Sequence, residues 1–242
     1  MEIQLPCTDY SIAADWHENS SVDKVLLILY GYMSAKNRKN DLISIILKQT
    51  NLSVLVIDYS GHGASPFKLG DTSPAQHLLE VVCAIDWIKQ HYPRAKLYVD
   101  GMSYGGFLGA WATKYRTFDK LVLRAPAIFR PETFYTSWSV LRTTDETRYK
   151  KDMEKYRRNT ELLQVHPLFT QDPEFKGQTL VIVHEYDEGI PRQTTDLFIK
   201  AFNAQSHIAL GFAHNVRQSK VIDQQRQVYY LKIATWLAGP VT

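Results

Sequence analysis

Apolar residues in this chain gather in short, nearly unbroken runs: Val25 to Leu29, Leu52 to Ile57, Leu97 to Val99, Leu121 to Leu123 and Leu180 to Val183. Leucine and β-branched residues in such runs, bounded by turn residues, predict strands buried on both faces, as a parallel sheet flanked by helices demands. The segments between them carry helical spacing instead. Leu42, Ile43, Ile45, Ile46 and Leu47 line one broad side of a helix, and Leu197, Phe198, Ala201 and Phe202 line one side of another that begins at Pro191. Ser73-Pro74-Ala75-Gln76 reads as a helix start, with serine at the N-cap, proline in the first helical position and glutamine completing a capping box. That helix runs to about His91, where Pro93 stops it. Short strands over 2–7, 10–16 and near His207 to Leu210, and a final helix from about Ser219 to Leu237, complete the pattern.

Repeated strand and helix in this order predict the α/β class, with a doubly wound, mostly parallel sheet. The alternation lapses from 127 to about 177, where the chain turns aromatic and charged, and a small helical cap is expected there. With no internal repeat and no low-complexity linker, residues 1–242 read as one domain.

Composition narrows the partners more than the fold. A net charge of +3 is too mild to argue for nucleic acid or a membrane surface, so a small-molecule substrate is expected. No run is long enough to span a bilayer, and the amino terminus lacks a basic stretch followed by an apolar core, which makes a cytoplasmic location the expectation. Cys7 and Cys83 lie in unrelated segments without metal-ligand spacing, and read as two buried thiols with no metal site.

The candidate chemistry centres on Gly101-Met102-Ser103-Tyr104-Gly105-Gly106, which follows a predicted strand and opens a predicted helix. G-x-S-x-G in that setting places a serine on a sharp turn with its hydroxyl exposed, and makes Ser103 the candidate nucleophile. A serine hydroxyl needs a general base and a group to orient that base. Downstream come an acidic loop, His184 to Pro191, and then Gly211-Phe212-Ala213-His214, in the order serine, acid, histidine expected for such an elbow. An oxyanion hole needs two backbone N–H groups. One is expected from Tyr104; the other comes from the loop after Leu29, from Tyr32 or, second to it, Met33.

These residues resemble the α/β-hydrolase superfamily over most of the chain. Asp58-Tyr59-Ser60-Gly61-His62-Gly63-Ala64-Ser65 is similar to its D-x-x-G-H-G-x-S loop, Gly101 to Gly106 to its elbow, Asp187 to Pro191 to its acid loop and Gly211 to His214 to its base loop. The resemblance implies Ser103 as nucleophile, His214 as general base and acid, Asp187 as the residue that fixes the imidazole, and no metal or cofactor. Glu185 and Glu188 compete with Asp187, and His62, His184 and His207 with His214, but only Asp187 and His214 match the family spacing. Tyr30-Gly31 stands where the family commonly has His-Gly, and Tyr30-Gly31-Tyr32 together with Ser103-Tyr104-Gly105-Gly106 resembles the prolyl-oligopeptidase type of serine peptidase. Ester or thioester hydrolysis is the implied activity, with a peptidase and a non-catalytic binding protein as alternatives. Met33, Phe129, Phe134, Tyr135 and Trp138 are the candidate lining of an apolar substrate pocket under the cap.

Overall fold

Each long apolar run becomes a strand of one mixed sheet. The computed structural model describes residues 1–20, 22–36, 41–142, 146–170 and 175–241. Its strands are β1 (Glu2–Cys7), β2 (Tyr10–His17), β3 (Lys24–Leu29), β4 (Ser53–Ile57), β5 (Lys96–Met102), β6 (Lys120–Arg124), β7 (Gln178–Tyr186) and β8 (Gln205–Ala213). Among the described residues they line up in the order β1-β2-β4-β3-β5-β6-β7-β8. β1 and β2 pair antiparallel with each other, β2 pairs antiparallel with β4, and all later pairings are parallel.

Alternate residues of the central strands enter two separate cores. Val25, Leu27 and Leu29 of β3 join Val81, Ile85 and Phe107 on the face covered by helices α2 (Pro74–His91), α3 (Tyr104–Ala112) and α8 (Arg192–Ala201). Leu26 and Ile28 join Leu42, Ile46, Tyr229 and Ile233 on the other face, under α1 (Asp41–Gln49) and α9 (Asp223–Ala238). This is why the runs lack alternation: both faces are dry. The chain winds outward one way from β3 to β4 and the other way from β5 to β6, so the carboxyl ends of β3 and β5 bound the crevice where open α/β sheets bind ligands.

Between β6 and β7 the described residues form α4 (Trp138–Arg142), α5 (Glu146–Arg158), α6 (Thr160–Gln164) and α7 (Pro167–Thr170). Parts of the expected cap, 143–145 and 171–174, lie outside the described residues. The segment is tied back to the start of α2, where Trp138 N–H donates to Thr72 O and Ala75 N–H to Phe134 O.

Some expectations change. Cys7 and Cys83 are not thiols: α2 crosses β1 so that their Cα atoms stand 5.5 Å apart, and the two sulfurs are bonded. The capping box of α2 is only half made. Ser73 Oγ accepts from Gln76 N–H at 3.3 Å, while the Gln76 amide reaches toward the Tyr10 hydroxyl instead of the cap. β7 runs on to Tyr186, which puts His184 in the strand, and β8 extends to Ala213. The polar outer positions of β8, the last strand in the sheet order, weakened its pattern. The last helix begins at Asp223, because Ser219 instead accepts from Ala213 N–H and donates to Asn215 O, bracing the loop that carries His214.

Burial sets a pH limit on this fold. It pushes His77 down to about 3, and His166 and His184 down to about 4. An unfolded chain would protonate these rings near 6.5. Below that pH the unfolded state gains protons that the native state refuses, so stability is full above 6.5 and drains away as pH falls toward 4. Asp58, Glu80 and Asp100, raised by their own burial, act in the opposite sense. Between pH 7 and 5 each of the three histidines withdraws up to about 2 kcal/mol and the carboxyls, whose ordinary values lie below that range, return less, so a net loss of unfolding free energy is expected, measured by denaturant titration; an unchanged midpoint would contradict it.

Candidate active site

Ser103 sits where β5 ends and α3 begins, with φ +54° and ψ −110°. That conformation costs a non-glycine residue of order 1–3 kcal/mol and persists only when its surroundings enforce it. Here Ser103 N–H donates to Arg124 O at 2.9 Å, and Ser103 O accepts from Phe107 N–H at 3.1 Å and Ala127 N–H at 3.0 Å. Two glycines make room for the turn. A Cβ on Gly101 would run into the Gly105 backbone, and a Cβ on Gly105 into the carbonyls of Leu29 and Tyr30.

His214, in the loop after β8, lies 2.9 Å from Ser103 Oγ through Nε2 and 2.8 Å from Asp187 Oδ2 through Nδ1. The carboxylate can only accept, so Nδ1 carries the proton, and Nε2 is left with its lone pair toward the serine hydroxyl. Asp187 is 4% exposed in its side chain, against 27% for His214, and its other oxygen accepts from Gly189 N–H at 2.9 Å and Ile190 N–H at 2.7 Å. One carboxylate oxygen is therefore held by the main chain while the other is aimed at the ring.

The competing residues are placed elsewhere. Glu185 accepts from Gly211 N–H at 2.7 Å, and Glu188 is exposed. His184 donates from Nδ1 to Ala213 O at 2.9 Å and accepts from Tyr229 OH at 3.0 Å. His62 is 4% exposed and serves the backbone of two loops, and the His207 ring is only partly buried in β8.

Tyr104 N–H occupies the first position of α3, where a helix has no acceptor of its own to offer. The loop after β3 passes close by: a Cβ on Gly31 would stand 3.7 Å from Ser103 Cβ. Met33, the second choice for the other donor, is corrected here, since its N–H already donates to His62 Nε2 at 3.1 Å. A cleft of about 310 Å³ opens beside the serine, lined by Tyr30, Gly31, Tyr32, Arg124, Arg217 and Tyr230 among others.

Comparison with known families matches a model described as serine aminopeptidase, S33, to residues 20–181, about two thirds of the chain and inclusive of the elbow. The chain belongs to this α/β-hydrolase family. No curated protein matches its sequence. Among solved structures, the Pyrococcus furiosus esterase Pf2001 is similar at TM-score 0.71 and 18% identity, over 99% of this chain and 93% of that one. Est1E from Butyrivibrio proteoclasticus, solved with ferulic acid bound, is similar at TM-score 0.69 and 15% identity, over 97% of each chain. An acylaminoacyl peptidase of Pyrococcus horikoshii is similar at TM-score 0.69 and 14% identity, over 98% of this chain but 40% of that one. At these identities the likeness is one of fold, and the eight-stranded order with helices on both faces is the α/β-hydrolase arrangement.

In this S33-type hydrolase the cap aromatics do not line the cleft. Phe129, Phe134 and Trp138 are buried, with Phe129 and Trp138 set edge-on to the Tyr104 ring and Phe134 against Phe107 and Trp111. Their apolar surface is spent on seating the cap over α3. Tyr135 is 82% exposed and Met33 58%, and neither is a lining residue of the cleft. Sequence reasoning missed Arg124, Arg217 and Tyr230, which no local motif marks. It also missed Arg157. This cap arginine, one of the charged residues of α5, donates to Ile128 O at 3.2 Å and to Gly189 O at 2.9 Å, and so holds the acid loop of the hydrolase.

Proposed function

We propose that this chain hydrolyses carboxylic esters through an acyl-enzyme on Ser103. The observation that carries the reading is the continuous line of hydrogen bonds from Ser103 through His214 to Asp187, opening on a cleft. As Ser103 Oγ attacks the ester carbonyl, its proton passes to His214 Nε2, and Asp187 stabilises the imidazolium. The N–H groups of Tyr104 and Tyr32 receive the negative charge that develops on the carbonyl oxygen. His214 then returns the proton to the departing alcohol, and a water repeats the sequence on the acyl-enzyme. Thioesters fit the same steps, and no cofactor takes part in them.

The family description and the acylaminoacyl peptidase likeness favour a second reading, cleavage of short peptides. A substrate with a free α-ammonium calls for a carboxylate in the site. Among the described lining residues the charged groups are Arg124, whose charge is met by Asp100, and Arg217; none is a carboxylate, which suits neutral or anionic substrates better. The expected result is labelling of Ser103 by a fluorophosphonate, seen by peptide mass spectrometry, with p-nitrophenyl acetate and butyrate turned over faster than amino-acid p-nitroanilides. Faster anilide turnover would favour the peptidase, and no label on Ser103 would remove the hydrolase reading.

A further inference from the structure

The Asp58–Ser65 loop, which these steps do not use, grips the loop after β3 at three points. Asp58 Oδ1 accepts from Lys36 N–H at 2.5 Å, Tyr59 OH donates to Tyr30 O at 3.3 Å, and His62 Nε2 accepts from Met33 N–H at 3.1 Å. The gripping loop is itself closed. Ala64 N–H donates to Asp58 Oδ2 at 2.9 Å, and Ser65 Oγ donates to Asp58 O at 2.6 Å while accepting from Ala13 N–H at 2.8 Å. Gly63 has φ +50°, and a Cβ there would strike the Asp58 carboxylate.

The pairing of His62 is determined by its partners. Its Nδ1 faces Ser60 O at 3.1 Å, an atom that can only accept, so Nδ1 carries the proton and Nε2 is the acceptor for Met33. Burial favours the neutral ring. Met33 takes φ +60°, a strained value for a side chain with a Cβ, so its backbone depends on such a hold. Ser60 O also accepts from His77 Nε2–H at 3.0 Å, and His77 Nδ1 accepts from Tyr104 OH at 2.8 Å. Ser60 is in turn anchored on buried Glu80, through its N–H at 2.9 Å and through its hydroxyl. One carbonyl thus joins two branches, one ending on the loop after β3 and the other on the residue that follows the nucleophile.

We propose that the Asp58–Ser65 loop is a clamp on the oxyanion loop and that His62 is its positioning residue, withdrawing Met33 N–H from the hole and fixing the peptide planes beside Ser103. The inference rests on the hydrolase reading. Two variants separate the bonds of the ring: His62→Asn keeps a donor for Ser60 O and loses the acceptor for Met33, whereas His62→Gln carries an amide oxygen at the reach of Nε2. Both are assayed on p-nitrophenyl butyrate and with an alkyl trifluoromethyl ketone. Ser103 Oγ adds to the ketone carbon, its proton goes to His214, and the carbonyl electron pair becomes an oxyanion in the hole.

His62→Asn should lower kcat about 10- to 100-fold with KM within about twofold, and weaken the ketone by the same factor. His62→Gln should stay within about threefold of the parent in both. Parent-like kcat and ketone affinity in His62→Asn, or equal losses in the two variants, would overturn the clamp. Absence of fluorophosphonate label on Ser103 in the parent protein would instead overturn the hydrolase reading beneath it.

Discussion

Asp187→Asn is expected to lower kcat for short esters by about 10⁴-fold, with KM and the melting temperature near those of the parent. The size follows from the way the main chain would orient the new amide. Gly189 N–H and Ile190 N–H both point at Oδ1, so the amide oxygen must stay there and the NH₂ must take the place of Oδ2. That NH₂ would then donate to His214 Nδ1, drive the ring proton to Nε2, and leave Ser103 Oγ facing a donor where it needs a base. Steady-state kinetics on p-nitrophenyl butyrate check the result. A loss smaller than tenfold would show that Asp187 does not set the tautomer.

Asp100→Ala is expected to cost about 3–5 kcal/mol in unfolding free energy. Asp100 in β5 is fully buried and pairs through both oxygens with Arg124 in β6, at 2.9 and 2.7 Å. Removing the carboxylate strands a guanidinium that is itself only 6% exposed in its side chain. The companion test is Asp100→Leu with Arg124→Met, which removes both charges and should recover most of the loss, because the penalty lies in the orphaned charge more than in the missing attraction. Chemical denaturation of the three proteins decides it. Equal losses in the single and double variants would mean that the pair contributes packing alone.

What could be read from the chain before its structure was whatever is encoded locally. Strands such as Val25 to Leu29 announce themselves because both of their faces are buried. Ser103, Asp187 and His214 stand out because a turn or a strand end needs particular residues around them. The features that stayed hidden are those made by distant segments. Cys7 and Cys83 are 76 residues apart, and only the crossing of α2 over β1 brings them together. Phe129 and Trp138 carry the same apolar character whether they face a substrate or the Tyr104 ring, so composition could not choose between the two. Arg157 lies among charges that point to water, and its inward direction depends on the acid loop it meets. His62 sits in a loop whose motif is local, but its hold on Met33 needed the third dimension.

The Arg157 contact also bears on how such caps can be exchanged between hydrolases. A substrate-selecting insertion is often treated as a module that can be cut out and replaced without touching the machinery beneath it. Here the insertion reaches from α5 to Gly189, two residues beyond the acid, and Thr194 Oγ1 returns a hydrogen bond to Arg157 O at 2.9 Å. A transplanted cap would have to bring its own donor to that carbonyl, or the recipient would inherit a loosened acid loop. The boundary of the exchangeable unit therefore lies inside the cap, on the amino-terminal side of Arg157.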